Sequence, residues 1–235
     1  GKGCLGAGVS HSLQQLVNEV ARDVKDPRTG APVLNEARAQ AIKATPDAEK
    51  QEAESDPSLG IGPLGSGSDY TAFLQHLTIA SLNIGYGGED NGGVYHSIYD
   101  SFVWYTRFSD GDFTYGRALA QTAGTLLMRL ADAPVLPFQF TDYASTLDRY
   151  VAEIQKLQAG KADRADLAPL QSAVGRLKTS AAAYESALAR LTAFDYPGNV
   201  RQLENVCQWL TVMAPAQVVE AKDLPPELLG QPAVD

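Results

Sequence analysis

The chain has 235 residues, 44% of them hydrophobic, and a formal charge of −9. That is enough chain to bury a core in one or two domains. Its net acidity argues against a broad electrostatic footprint for nucleic acid or an anionic membrane. No apolar run approaches the ~20 residues of a membrane span, and no secretory signal is read.

Residues 10–24 predict an amphipathic helix, because Leu13, Leu16, Val17 and Val20 recur at helical spacing. Ser12 with Gln15 has the pattern of a capping box. From Lys25 to Gly67 the chain is rich in Ala, Pro, Asp and Glu, with poorly spaced apolar residues. It reads as a surface excursion carrying a short helix near Asn35–Lys43. Ser66-Gly67-Ser68 then turns into a helix over Asp69–Leu77, and Ile79–Ile84 suits a short buried strand. The glycine-rich stretch Gly85–Gly93 reads as a loop. After Val94–Ser97, Asp100–Arg107 begins the next helix.

Beyond Phe113 the pattern is helical. Tyr115–Ala131 is stopped by Pro134 and Pro137, and Tyr143, Leu147, Tyr150, Val151, Ile154 and Leu157 mark a second helix. Leu167, Leu170, Val174, Leu177, Ala181, Tyr184, Leu188 and Leu191 then alternate steps of three and four, which is a heptad seam. Such a seam serves either an intramolecular bundle or a subunit interface. Tyr196-Pro197-Gly198-Asn199 reads as a turn, with Asn199 capping a helix whose apolar face carries Val200, Leu203, Val206, Leu210 and Met213. Asp223–Leu228 reads as an extended stop. Cys4 and Cys207 form no CxxC or CxxH pattern and read as ordinary thiols.

The run SGSDYTAFLQHL, then VYHSIYDSF, then LPFQFTDYASTLDRYV resembles the glutamate carboxypeptidase family. These are co-catalytic zinc exopeptidases, also called N-acetylated-alpha-linked acidic dipeptidases, with the transferrin receptor as a non-enzymatic relative. The resemblance covers roughly Gly1 to Thr192. It implies that His96 matches the family's last zinc-ligand histidine and that Tyr95 matches a tyrosine stabilising the tetrahedral intermediate. It also implies substrate contacts at Gly67 and Ser68, where a substrate-binding asparagine can occur. Where well-known members carry an arginine pair, this chain reads Ser81-Leu82-Asn83-Ile84-Gly85, so the resemblance does not imply specificity for acidic peptides. The family's remaining ligands precede this motif, and nothing before His96 matches them; His11 and His76 do not fit ligand positions. A two-zinc site needs about five or six ligating groups. Zinc is therefore the cofactor of the parent family, no tight binding is expected of this chain, and a peptide substrate is expected only of the intact parent.

FDYPGNVRQLEN, continuing through VCQWLTVMAPAQVVEAKDLPPELL, resembles a different family: the helical lid of NtrC-like bacterial activators, which are AAA+ ATPases. In that family Arg201 would be the second sensor toward nucleotide. No GxxxxGK[ST] loop or Walker B strand accompanies it, so the role of Arg201 is vestigial.

These readings give an α+β chain, mostly α, with chimeric ancestry. Residues 1–110 read as a partial α/β peptidase remnant, 111–192 as a transferrin-receptor-like helical dimerisation region, and 193–235 as an activator-lid-like tail. The expected function is that of an exopeptidase fragment, inactive alone, that retains a homo-oligomerising helical region. The alternative is a non-enzymatic dimerisation module or an activator fragment. Neither nucleic acid nor membrane is an expected partner.

Overall fold

The computed structural model describes residues 3–47, 50–88, 94–161, 163–193, 199–213, 224–225 and 228. It is mostly helical, with one two-stranded sheet among the described residues. The chain divides into two compact units, Gly1–Phe138 and Gln139–Asp235. Residues 89–93 of the expected loop and the expected turn at 196–198 lie outside the described residues.

The first unit is built on β1 (Leu5–Val9) and β2 (Leu82–Tyr86), paired antiparallel with Leu5 opposite Tyr86 and Val9 opposite Leu82. The strand expected over Ile79–Ile84 therefore starts three residues later and ends two residues later. Its partner β1 was not foreseen, because Leu-Gly-Ala-Gly-Val carries two glycines, which weaken strand propensity. The partner makes it a strand. On the far side of β1, the Val9 amide donates to the Gly62 carbonyl at 3.2 Å and the Gly62 amide to the Ala7 carbonyl at 3.3 Å.

A 3-10 turn over His11–Leu13 leads into α1 (Gln14–Asp23). Leu16, Val17, Val20 and Ala21 face the core, as their spacing requires. The capping box does not form. Because the chain enters α1 through the 3-10 turn, Ser12 lies inside that turn, and Gln15 Nε2 instead donates to Glu19 Oε1 at 3.0 Å.

Residues 25–67 are not a surface excursion. They form α2 (Val33–Ala44), which contains the short helix expected near Asn35–Lys43, and α3 (Lys50–Ser55), and they contribute Val33, Leu34, Ala37, Leu59 and Ile61 to the core. Buried Asn18 fixes the return of the chain. Its Oδ1 accepts from the Leu59 amide at 2.6 Å, and its Nδ2 donates to the Gln14 carbonyl at 3.0 Å. Buried backbone polar groups need partners, and this clasp lets an isolated leucine enter the core without a local pattern to announce it.

The helix expected at Asp69–Leu77 spans residues 70–76, its last five residues, Ala72–His76, wound as a π-helical turn. Next come α4 (Phe102–Phe108) and α5 (Thr114–Asp132). Ser101 caps α4 by accepting from the Trp104 amide at 3.3 Å. Gly111 is required between the two helices, since a Cβ there would lie 2.3 Å from the Thr106 carbonyl oxygen. Helix α5 packs on α1 and β2, and Arg129 reaches Asp23 of α1.

The second unit is a helical hairpin with a small cap. Helices α6 (Phe140–Gln158) and α7 (Ala168–Ala193) run antiparallel. The Thr141 amide and hydroxyl each donate to Glu185 at 2.8 Å, Phe140 meets Tyr184 edge-on at 5.4 Å, and Lys178 pairs with Asp148 at 3.5 Å. Seam residues Val174 and Ala181 are buried. Beyond them, Ala187 and Leu191 of α7 pack with Val206 and Leu210 of α8 (Asn199–Met213) and with Leu224 and Leu228. One helix thus serves the hairpin along most of its length and the cap at its C-terminal end. In the Asp223–Leu228 stop, Leu228 closes a turn by donating its amide to Pro225 at 2.9 Å.

Candidate functional site

His96 lies in a turn at the C-terminal side of β2, before α4, with φ of 61°. A positive φ is uncommon for a side chain with a Cβ, though histidine tolerates it better than most. The imidazole is exposed and stacks on the Tyr95 ring at 3.8 Å, with 23° between planes. Tyr95 itself is 74% exposed. The turn is held locally: the Ser97 hydroxyl donates to the Val94 carbonyl at 2.6 Å, and the Tyr99 amide donates to that hydroxyl at 3.2 Å.

Gly67 sits in the left-handed region at φ of 88°, which favours glycine. Ser68 is exposed and opens a short turn in which its carbonyl accepts from the Thr71 amide at 2.9 Å. Among the described residues no hydrogen bond joins Gly67 or Ser68 to Tyr95 or His96. Arg201 is exposed on the first turn of α8.

A zinc pair needs several anionic and imidazole donors converging on one point. Among the described residues no three His, Cys, Asp or Glu side chains gather closely enough to hold a metal. The described donor set therefore does not fit the metal that the peptidase resemblance implies. His11 is a buried 3-10 residue and His76 an exposed one in the π turn.

Sequence reasoning missed two buried carboxylates that position this region. Asp26 Oδ1 accepts from the Arg28 and Thr29 amides, both at 2.9 Å, and its Oδ2 accepts from the Tyr115 hydroxyl at 3.5 Å. Asp110 Oδ2 accepts from the Gly116 amide at 2.7 Å and from the Tyr105 hydroxyl at 3.3 Å. The available signals were Asp110 just before a helical run and Asp26 at the head of the turn-forming run Asp26-Pro27-Arg28-Thr29-Gly30. The two clamps tie α5 to the α1–α2 connection and to α4.

The tyrosines on these clamps resist ionisation. Burial pushes the Tyr115 and Tyr105 phenols above the usual tyrosine range, with the nearby Asp26 and Asp110 charges adding to it. Tyr86 is raised chiefly by burial, against the lowering effect of its 3.1 Å hydrogen bond with Thr122. A folded pKa above the unfolded value near 10 means that stability is complete below pH ~10 and is lost as pH rises through the folded pKa. Denaturation midpoints should fall in that alkaline window, and Tyr115→Phe should flatten the fall. An unchanged pH profile in that variant would contradict the assignment.

Comparison with known proteins finds two separate similarities. The chain is 29% identical over 176 residues to a probable glutamate carboxypeptidase, LAMP1, of Arabidopsis thaliana; the match covers 74% of this chain and 23% of the relative. It is 35% identical over 134 residues to aminopeptidase NAALADL1 of Mus musculus, covering 54% of this chain and 18% of that protein. The chain thus spans less than a quarter of these relatives' length. Residues 170–235 match the AAA+ ATPase lid domain family. Forty residues are 65% identical to the DNA-binding transcriptional regulator NtrC of Escherichia coli, 17% of this chain and 8% of that protein. The chain therefore carries a glutamate carboxypeptidase-like region and an AAA+ lid-like tail, as a chimera would. The lid match begins at residue 170 and so includes most of α7, the helix that also packs against α6.

Proposed function

We propose that this chain is a peptidase-derived module that does not hydrolyse peptides alone and works by self-association through its helical region. What supports the first half is the setting of His96: an exposed imidazole on a turn, with no described cluster of acidic or imidazole companions. Structural zinc binding by a complete site is worth about 10–16 kcal/mol, and a solitary imidazole keeps a small part of that. Tyr95 and His96 keep their motif positions, with Gly67 and Ser68 as the substrate-side remnant.

The second half rests on what the hairpin leaves uncovered. The α6–α7 pairing consumes much of the heptad seam, yet Tyr143, Ile154 and Leu157 of α6 and Leu170 of α7 remain 41–69% exposed. Apolar residues at helical spacing on an outer helix face are suited to a second helix pair. The arrangement is a homodimer of hairpins.

The purified chain, supplied with zinc, should release no amino acid from unmodified or N-acetylated dipeptides above a zinc-only blank, and His96→Ala should change nothing. Zinc-dependent turnover that disappears in His96→Ala would overturn the reading. Leu157→Glu should weaken hairpin self-association without loss of helical signal.

A further inference from the structure

The two edges of the β1–β2 ribbon are finished differently. Beside β1 the edge is covered, because Val9 donates to the Gly62 carbonyl and Gly62 donates to Ala7. In a strand the amide and carbonyl of one residue point to the same side, and that side alternates along the chain. Ala7 and Val9 therefore face Gly62, while Gly6 and Gly8 face β2, opposite Gly85 and Asn83. The Ser10 amide donates to the Ser81 carbonyl at 2.9 Å and the Gly87 amide to the Cys4 carbonyl at 3.1 Å, in the same phase. Leu82 and Ile84 must then turn their backbone groups away from β1. Among the described residues, neither has a hydrogen-bond partner on that side. Both residues are half-buried, where unpaired backbone groups are costly. Open edges are ordinarily blunted by charged side chains, proline or a bulge. Residues 77–88 hold no charged residue and no proline, and the register runs unbroken from Leu5–Tyr86 to Val9–Leu82.

We infer that this edge of β2 pairs antiparallel with the same edge of a second copy, across a two-fold axis at Asn83. A two-fold axis brings residue i of one copy to residue j of the other and the reverse. With Leu82 of each copy opposite Ile84 of the other, every one of these unpaired groups finds a partner in both copies. A single extended peptide would satisfy one set and present a new open edge of its own, whereas a second copy closes both edges at once. The absence of charge along residues 77–88 lets two chains of net charge −9 meet here with no like charges at the contact. Leu82 and Ile84 already turn one face to the core, so they meet as apolar cross-strand pairs. Asn83 is exposed. It stands opposite its own copy in a non-hydrogen-bonded position, with Cα atoms about 4.5 Å apart.

Asn83→Cys in the full chain tests the register. Each chain contributes one residue 83, so a disulfide between two of them is intermolecular, and the spacing falls within the roughly 4.4–6.8 Å that a disulfide accepts. Under mild oxidation the chains should link through position 83, identified by the mass of the joined peptides, faster than through the native exposed Cys207. Charge then tests the pairing itself, read by sedimentation velocity in a Leu157→Glu background so that the hairpin does not contribute. Asn83→Lys and Asn83→Asp should each weaken association about fivefold, since like charges then stand directly opposite. An equimolar mixture of the two should restore it, which a folding defect would not do. Linkage at position 83 no faster than at Cys207, or a mixture as weak as either variant alone, overturns the edge pairing. So does an edge that captures only a foreign extended peptide. The response to Leu157→Glu by itself reports on the hairpin, so the two interfaces fail separately.

Discussion

Leu16→Ala should lower the stability of the first unit by about 2–5 kcal/mol. Leu16 is 3% exposed on the inner face of α1, inside the cluster that joins β1, α2, Leu59, Ile61 and α5. Removing its branched end forfeits the transfer free energy and leaves a cavity that short, cross-tied elements cannot close. Two strands and three helices meet there, so the loss is shared by all of them. Urea denaturation followed through the tyrosines near this core should show an earlier midpoint, while the α6–α7 hairpin keeps its own transition. A midpoint unchanged from the parent chain would mean that α1 does not organise this core.

Val206→Asp should detach the lid-like cap. Val206 is 6% exposed and meets Ala187, Leu224 and Leu228 in a small cluster. An unpaired carboxylate in that cluster costs about 3 kcal/mol or more, which is large beside what four buried side chains supply. Far-UV circular dichroism should lose the signal of α8 and of the last turns of α7, while the part of α7 held by Glu185 and Lys178 persists. Arg201→Ala is the control: its side chain is exposed, and stability should change by no more than about 0.5 kcal/mol. Equal losses in the two variants would contradict the packing described for the tail.

The helices of this chain were legible because their apolar residues obey one period. The expected helix at Tyr115–Ala131 became Thr114–Asp132, and the heptad run became Ala168–Ala193. Residues 5–9 and 59–61 were not legible. Their burial comes from partners distant in sequence, β2 for the first and the Asn18 clasp for the second, and no local period encodes such a contact. The motif around His96 could be read, whereas its surroundings could not, since ligands of a metal pair converge from separate segments. Both similarities were also visible as short, specific runs. That α7 would serve hairpin and cap alike was hidden, because the heptad spacing continues unbroken to Leu191.

A single motif histidine without its acidic companions should not keep metal. Equilibrium dialysis against micromolar zinc, followed by elemental analysis of the protein, tests this directly. It should return well under one tightly held ion per chain, and the same amount for His96→Ala. Two ions per polypeptide, lost in that variant, would contradict it.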